Sequence, residues 1–513
     1  TITATSTTTS ITETTTPCTT TTETQTSTTI SMTSTTTTIT ATSTTTPCST
    51  ITETETTTTI TTFTRTKTST TITETTTPCT TITETTSTET RTKTTTTQTT
   101  TTTPCVTNTT TTPCVTVTDT TTLARVPRQA AAEPKPTPCS FIQGTRTWII
   151  KVPSIWDEEK MSKLAEQFSA KAKYKGDPAK GLPMLIVAAP GSELEKAMKA
   201  MPGVEYVEED SVLDGSPETV ASRSNQESWG LLRIDKGGSG LDDTSASSNA
   251  NAGKNAHVYV MDTGIRTTHN EFGGKAIPTL EVHNLFLKQC SEGEVRCAED
   301  QHGHGTHAAA TVGGATLGVA PGATMHAVKV LNNEAQGSYA NVLMAMDWIL
   351  QHGQKPAVML IGITSASNVD TSRSLKDAID KATADGFPVI VGGGDSKANA
   401  CRTTPGFVPS AITVGSSTES DEQEPSSNFG TCLDLFAPGA NIKTADVLSD
   451  TGLVSVTSTS VAAAHVAGAT AIALANDPTK TAKEIATQLM SNAAAGAMVG
   501  EMNGSPNRLL NLR

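Results

Sequence analysis

Aromatic residues make up only 3% of this 513-residue chain, and hydrophobic residues only 35%. No run of about eighteen apolar residues occurs, so the sequence predicts no transmembrane helix. The formal net charge of -13 speaks against nucleic-acid binding, because phosphate contacts need a basic patch. The chain shows no signal peptide and begins with Thr rather than Met, which predicts an N-terminally incomplete fragment.

The shortage of hydrophobic residues is concentrated in residues 1–122, more than half of which are threonine. Such a segment cannot bury a core, and its composition predicts a disordered, O-glycosylated stalk. Asn108 adds a site for an N-linked glycan. The alternative is a β-prone, aggregating tract, because threonine favours strands. Thr-Thr-Thr-Pro-Cys units interrupt the stalk and end at Cys18, Cys48, Cys79, Cys105 and Cys114.

The clearest chemical signal is the segment Ser458 to Gly468, which places Ser460 at the start of an alanine-rich helix. The free N–H groups of a helix N-terminus favour developing negative charge, as a serine nucleophile requires. The alternative is an N-cap serine on a core helix. Because a lone hydroxyl is a poor nucleophile, a base and an orienting group are also needed.

Two further segments supply those groups. Residues 257–264 are typical of a buried strand that ends in Asp262 and a glycine turn. Residues 302–307, His-Gly-His-Gly-Thr-His, open a small-residue helix and contain His304. The order Asp262, His304, Ser460 is one of the known orders of a catalytic triad. Alternatives are a helix cap for the aspartate and a metal site for the histidines, although their spacing fits no zinc signature.

These motifs resemble those of the subtilisin-like serine proteases, in particular the proteinase K branch. Asp262 matches Asp-Thr-Gly, His304 the first histidine of His-Gly-Thr-His, and Ser460 the serine of Gly-Thr-Ser-x-Ala-x-Pro-His-Val-Ala-Gly. The resemblance runs from about Trp229 to the C-terminus. It implies an α/β fold, a central mostly parallel sheet flanked by helices, and serine endopeptidase activity in which His304 deprotonates Ser460 and Asp262 orients the imidazole.

Three positions near the predicted nucleophile depart from the family pattern. Asp395 replaces an asparagine that donates to the oxyanion beside the N–H of Ser460, and an ionised carboxylate accepts hydrogen bonds instead. Loss of that asparagine costs subtilisin about 100- to 1000-fold in turnover. Ser458 replaces a glycine and Ala464 a proline. These departures favour the alternative of a weakly active or inactive pseudoprotease that serves as a surface-anchored binding or wall protein.

The resemblance also implies substrate-binding positions on two segments that flank an extended peptide. Gly337 and Tyr339 belong to one segment, Leu360 and Gly362 to the other, and Gly393 to the side-chain pocket. For Gly337 and Tyr339, the alternative is a plain turn and a packed aromatic ring.

The chemistry requires no cofactor, but the resemblance implies a structural calcium site. Pro409 and Ala411 would supply backbone carbonyls and Asp434 a carboxylate, and oxygen ligands suit calcium. The alternative is that Asp434 caps a turn.

Residues 147–221 resemble a subtilisin-type propeptide, a small α+β domain whose C-terminal tail blocks the cleft. We expect its cleavage near Ala221 or Ser222. The sequence thus predicts a stalk at 1–122, a linker at 123–146, the propeptide at 147–221 and the peptidase domain at 222–513.

Ten cysteines divide into six in the stalk and linker and four in the C-terminal domain. With the stalk composition they indicate an oxidising compartment and a secreted or cell-surface protein. Cys401 and Cys432 resemble a disulfide of aqualysin-like relatives, and Cys290 with Cys297 is a second candidate pair. Predicted partners are protein or peptide substrates, the chain's own propeptide and, through the stalk cysteines, other chains or a cell wall. Free or locally paired thiols are the alternative.

Overall fold

The structure is a computed structural model whose chain divides into two compact units, Thr1–Thr137 and Pro138–Arg513. The described residues are 3–15, 19–31, 35–45, 50–61, 64–76, 80–90, 94–102, 106–107, 110–111, 146–194, 203–215, 218–221, 229–235, 252–365 and 372–512.

The first unit is described by its backbone alone, which forms extended antiparallel strands. These strands differ from the predicted disordered stalk and follow the strand preference of threonine, whose branched side chain suits extended backbone. The side chains lie outside the described residues, as do Asn108 and residues 112–145. The glycosylated, coreless stalk therefore stays a prediction. The strands are Thr3–Thr15, Thr19–Ser31, Thr35–Thr45, Thr50–Thr61, Thr64–Thr76, Thr80–Thr90, Thr94–Thr102, Val106–Thr107 and Thr110–Thr111.

The second unit begins with a small α+β domain. Strands β1 (Arg146–Lys151), β2 (Ala172–Lys175), β3 (Met184–Ala189) and β4 (Tyr206–Glu209) form an antiparallel sheet in the order β2-β3-β1-β4. Helix α1 (Glu158–Phe168) buries three side chains that recur at helical spacing, and its first turn is capped by Asp157. Its buried residues are Met161, Leu164 and Phe168.

A segment that we call the tail, residues 210–221, follows this domain. It contains strands β5 (Val212–Asp214) and β6 (Thr219–Ala221), and residues 216 and 217 between them lie outside the described part. Both strands pair with the C-terminal domain rather than with the domain they leave.

The C-terminal domain is built on a ten-stranded sheet. Its inner strands are all parallel, and β9 and β18 close the two edges in antiparallel pairing. This confirms the predicted mostly parallel sheet. In sheet order the strands are β9 (Phe286–Gln289), β8 (Ala276–His283), β10 (Thr324–Lys329), β7 (His257–Asp262), β12 (Ala357–Ile361), β13 (Val389–Gly392), β14 (Ile412–Ser417), β15 (Leu435–Pro438), β19 (Arg508–Leu509) and β18 (Ala494–Ala495).

Helices cover both faces of this sheet. Alternate residues of β7 point to opposite faces, so Val258 joins the apolar core that contains α3 and α6, and Tyr259 joins the core that contains α4 and α5. The helices are α2 (Trp229–Asp235), α3 (His304–Gly313), α4 (Tyr339–His352), α5 (Arg373–Ala384), α6 (Thr459–Asn476) and α7 (Ala482–Asn492), with 3-10 turns at Ser169–Lys171, Asn270–Phe272 and Ala400–Arg402.

Helix α6 is the central helix of the first core. Among the described residues it alone is long and apolar enough to cross a membrane, but 83% of the relevant window is buried inside the fold, as in core helices of soluble proteins. Its composition is therefore explained by packing against α3 and the sheet.

Three short strands complete the domain. Strand β11 (Gln336–Ser338) pairs with β5 of the tail, and β16 (Ile442–Ala445) and β17 (Leu453–Thr457) form a sheet with β6. The predicted disulfides Cys290–Cys297 and Cys401–Cys432 are both present. The stalk cysteines lie outside the described residues.

Candidate active site

Asp262 ends strand β7 at the carboxyl edge of the sheet, where parallel strands present functional groups. His304 begins helix α3, and its Nδ1 lies 2.8 Å from each carboxylate oxygen of Asp262. Both side chains are buried. Gly305 permits this approach, because a Cβ at that position would overlap the carbonyl oxygen of Gly264. The carboxylate thus fixes the imidazole with Nδ1 as the donor.

Asp300 holds the first turn of α3 in place, a role that the motif search missed. Its Oδ1 accepts from the backbone N–H of His302 and Gly303, and its Oδ2 from the N–H and hydroxyl of Thr306. Burial opposes ionisation of Asp300, but these hydrogen bonds outweigh it and lower its pKa. Gly303 adopts φ 116°, a left-handed conformation that favours glycine. An Asp four residues before a helix-starting His is the sequence signal of this cap.

Ser460 is the second residue of α6, which packs against α3. Its Oγ and the Nε2 of His304 are both buried, and neither has a hydrogen-bond partner among the described residues. The structure thus brings Asp262 and His304 into contact, and it leaves Ser460 Oγ and His304 Nε2 buried without partners among the described residues. Catalytic hydrogen bonds often tighten only in the complex with substrate.

The pKa of His304 depends on neighbouring carboxylates. Burial would lower it, but the charge and hydrogen bond of Asp262 outweigh burial and raise it, and Glu218 of the tail adds to the rise. A protonated imidazole cannot act as a base. The tail carboxylate therefore opposes base catalysis by His304 while it is bound.

Asp395 lies at the N-terminus of α6 as a hydrogen-bond acceptor. Its Oδ1 accepts from the Thr459 N–H at 2.8 Å, and its Oδ2 accepts from the hydroxyls of Thr459 and Ser458 at 2.9 and 3.0 Å. Burial outweighs these bonds and raises its pKa to about 6. A negative charge is favourable at a helix N-terminus. In this structure Asp395 therefore caps α6 as an acceptor, and its place at the oxyanion site stays a prediction.

Two of the sequence-predicted substrate positions border the tail. Gly337 pairs with Leu213 of β5, and the backbone N–H of Tyr339 donates to the carbonyl of Ser211 at 3.1 Å. The ring of Tyr339 is buried, with its hydroxyl 3.1 Å from Ser372 Oγ. The tail thus adds a strand to this edge, as an extended substrate would.

On the opposite side the tail pairs at Ile363, where Gly215 forms an antiparallel bridge. Leu360 lies three residues earlier, fully buried in β12, and the described part of the tail does not pair with it. Gly362 lies against the Asp262–His304 pair, where a Cβ would overlap Asp262 Oδ2 and lie 3.3 Å from His304 Cε1. The substrate-binding roles of Leu360 and Gly362 stay predictions.

Gly393 lies just after β13, and the structure places it inside the fold. Its N–H donates to the carbonyl of Val414 at 2.8 Å, and its carbonyl accepts from the Asn428 amide at 2.8 Å. A Cβ at Gly393 would press on Leu433.

The three residues of the predicted calcium site line one cavity of about 460 Å³. Asp434 Oδ2 accepts from the Thr413 N–H at 2.8 Å, and burial raises the pKa of Asp434. A cation would relieve that burial cost, so the oxygen donors of Pro409, Ala411 and Asp434 fit a calcium ion in kind. No cluster of three His, Cys, Asp or Glu side chains suited to a metal occurs among the described residues.

Known proteins share this architecture and these motifs. Residues 253–509 match the model of the subtilase family. The chain belongs to the subtilase family. This subtilase is a serine-type endopeptidase, a hydrolase of peptide bonds.

Individual relatives agree with the assignment. The subtilase is 36% identical over 330 residues to an extracellular serine proteinase of Thermus sp. (strain Rt41A), covering 64% of this chain and 74% of the relative. It is 33% identical to alkaline serine exoprotease A of Vibrio alginolyticus, covering 63% of this chain and 58% of that protein. A crystal structure of a cold-adapted subtilisin-like serine proteinase matches with a TM-score of 0.50 and 34% identity, covering 56% of this chain and 99% of the other.

Proposed function

We propose that this subtilase hydrolyses peptide bonds with Ser460 as nucleophile, His304 as general base and Asp262 as the group that orients the imidazole. The observation that carries the proposal is the buried Asp262–His304 pair, whose helix α3 packs on α6, together with the partnerless Ser460 Oγ and His304 Nε2. In the first step Nε2 takes the hydroxyl proton while Oγ bonds to the substrate carbonyl carbon. His304 then protonates the leaving amine as the C–N bond breaks. Water hydrolyses the acyl-enzyme by the same transfers and regenerates Ser460.

We propose further that the chain is a zymogen and that the tail is its inhibitor. The described parts of the tail, on either side of residues 216 and 217, contact the C-terminal domain. Gly215 bridges Ile363 on one side, and beyond it Glu218 Oε2 lies 2.8 Å from His307 Nδ1. Strand β6 then pairs Thr219 with Thr457, three residues before Ser460. A peptide held in this way excludes other substrates.

The α+β domain docks on the helices that border the cleft. Glu208 accepts from the N–H and hydroxyl of Ser374 in the first turn of α5, and Asp210 accepts from the Ala340 N–H in the first turn of α4. Carboxylates at helix N-termini are stabilised by the helix dipole. Apolar residues of the two domains share one core, to which the α+β domain contributes Ile149, Leu182, Met184 and Ile186 and the tail contributes Leu213.

We propose that the chain is cut between Gly215 and Glu218, closer to the α+β domain than the sequence estimate near Ala221 or Ser222. Gly215 bridges Ile363, and the neighbouring Gly362 lies close to Asp262. Ala221 is paired with Ser455 in a separate sheet. The domain boundary would accordingly shift by several residues.

Secretion of the mature enzyme is part of the proposal. It is supported by the name of the Thermus relative, an extracellular proteinase, and by two disulfides in the C-terminal domain. Calcium, bound by Pro409, Ala411 and Asp434, would serve stability, since these residues lie at a cavity between α5, α7 and the sheet.

The test is expression of the full chain with and without Ser460→Ala. We expect the unaltered chain to cleave itself within the tail and to be labelled at Ser460 by a fluorophosphonate, and the variant to do neither. If the unaltered chain neither cleaves itself nor labels, the second candidate, a pseudoprotease, is favoured. The specific observation that favours a pseudoprotease is that Ser458 Oγ already accepts from the Ser460 N–H.

A further inference from the structure

The backbone N–H of Ser460, the oxyanion donor implied by the family resemblance, already has an acceptor. Ser458 Oγ lies 3.0 Å from this nitrogen. An oxyanion bound by the same N–H would lie along the same direction at about 2.7–3.1 Å. In the resting site, Ser458 Oγ therefore occupies the place that a substrate oxyanion needs.

Asp395 holds Ser458 in that orientation. The hydroxyl of Ser458 donates to Asp395 Oδ2 at 3.0 Å, which leaves its oxygen lone pairs for the Ser460 N–H. Two bonds from Thr459 fix the carboxylate in turn, and Ser458 and Thr459 are buried at the start of α6. Hydrogen bonds to an ionised group are stronger than neutral ones, so this orientation is favoured over a free hydroxyl.

We propose that Ser458, held by Asp395, is a brake on acyl transfer by this subtilase. The oxyanion must displace Ser458 Oγ from the Ser460 N–H before that N–H can stabilise it. The family glycine at this position has no side-chain atom to displace. Ser458 is thus a positioning residue that acts through the N–H of Ser460, and the inference rests on the proposed role of Ser460 as nucleophile.

The same hydrogen bond stabilises the helix. Ser458 is the N-cap of α6, and capping stabilises the helix to which the nucleophile belongs. Its backbone is extended, with φ -170° and ψ 155°, so alanine and glycine both fit this conformation. Removing the hydroxyl should therefore lower stability and raise the rate. If Ser458 had only a structural role, removing its hydroxyl would lower both the stability and the rate.

The test compares Ser458→Ala with the unaltered full chain after self-processing, on a chromogenic peptide. We expect kcat to rise about tenfold or more with KM nearly unchanged, because the freed N–H acts on the transition state. The melting temperature should fall. Thr481→Ala is the matched control, because Thr481 caps the distant helix α7. It should lower the melting temperature and leave kcat as it was. If the alanine variant fails to fold, Ser458→Gly is used in its place, because glycine is the residue that the family has at this position.

Two outcomes would overturn the brake and are distinguishable. If the unaltered chain processes itself and is labelled by a fluorophosphonate, but folded Ser458→Ala and Ser458→Gly have equal or lower kcat, the brake is wrong and the proposed function stands. If neither the unaltered chain nor these variants cleave or label, both proposals fail together.

Discussion

Glu218 of the tail is joined to His307 through a buried contact of 2.8 Å between Oε2 and Nδ1. The Glu218 side chain is 5% exposed and that of His307 is 6% exposed. Burial penalises both charges, but the pair outweighs it, so the pKa of Glu218 is lowered and that of His307 is raised. The second oxygen of Glu218, Oε1, is buried without a partner among the described residues. This pair ties the tail to the helix that contains His304.

The pair makes tail binding depend on pH. His307 has a raised pKa when bound, so its contribution is complete below its ordinary value of 6.5 and is lost as the pH rises through the raised value. Glu218 has a lowered pKa, so its contribution is complete above 4.5 and is lost as the pH falls through the lowered value. We expect the tail to be held most tightly between these two values. The other ionisable groups that face the pair are His302, His304 and Asp300.

Glu218→Gln should remove this dependence. The comparison uses full-length chains that also have Ser460→Ala. The protection of the tail amides against hydrogen exchange, relative to free amides at the same pH, should be high near pH 5.5 and lower at alkaline pH. In the Gln variant it should be low at every pH. Glu209→Gln is the control, since Glu209 pairs with Arg146 at the surface. Equal protection in Glu218→Gln and the control would show that the buried pair does not hold the tail.

N-terminal sequencing of the processed enzyme should locate the cut between Gly215 and Glu218. The reason is that Gly215 bridges Ile363, next to Gly362, and that Glu218 contacts His307 on the helix of His304. A first residue at Ser222 or later would show that the tail shifts by several residues before it is cut. The Ser460→Ala chain should remain intact, which separates self-cleavage from trimming by other proteases.

Gly362→Ala should abolish most activity while the protein stays folded. The new Cβ would overlap Asp262 Oδ2, so the carboxylate and with it His304 must shift. Small displacements of catalytic groups cost about 100-fold in rate. The measurement is kcat/KM together with the melting temperature. Full activity in Gly362→Ala would contradict the geometry of the site.

The sequence motifs were sufficient to predict the sheet and to select Asp262, His304 and Ser460, because a fold family keeps such segments in order. They could not predict hydrogen-bond directions. The sequence placed Asp395 at the oxyanion site, and the structure adds that its carboxylate accepts from the Thr459 N–H at the start of α6. Strand pairing was also beyond the motif: Leu360 is buried within β12, and the tail bridges Ile363 beyond the end of that strand. A shift of one residue along a strand changes the face that a side chain occupies.

Asp395 should make the stability of the folded protein depend on pH. Burial raises its folded pKa to about 6, above the ordinary 3.8. The stabilisation of the folded state by protonated Asp395 is therefore complete below pH 3.8 and is lost as the pH rises through about 6. Both proteins are compared in a Ser460→Ala background. The melting temperature of the protein with Asp395, minus that of Asp395→Asn, should decrease as the pH rises from 3.8 to about 6. A constant difference across that range would show that the folded pKa of Asp395 is not raised.

Asp395→Asn should also raise turnover in the protein that retains Ser460. An amide can donate to the oxyanion, whereas the ionised carboxylate cannot. The gain is measured as kcat at pH 8, where the unaltered carboxylate is ionised. No gain in an active enzyme would indicate that Asp395 is adapted to its role as a cap for α6.

Calcium should raise the melting temperature of the unaltered chain, and Asp434→Ala should remove that response. Asp434 supplies the only charged ligand of the proposed set, and its carboxylate is buried. A cation in this cavity would be attracted to the carboxylate and would offset the cost of burying its charge. Asp477→Ala is the control, because Asp477 is exposed and bonded to Thr479 in a turn. The measurement is thermal unfolding in calcium and in chelator. A calcium response that persists in Asp434→Ala would place the ion elsewhere, and no response in the unaltered chain would leave Asp434 as the buried acceptor for the Thr413 N–H.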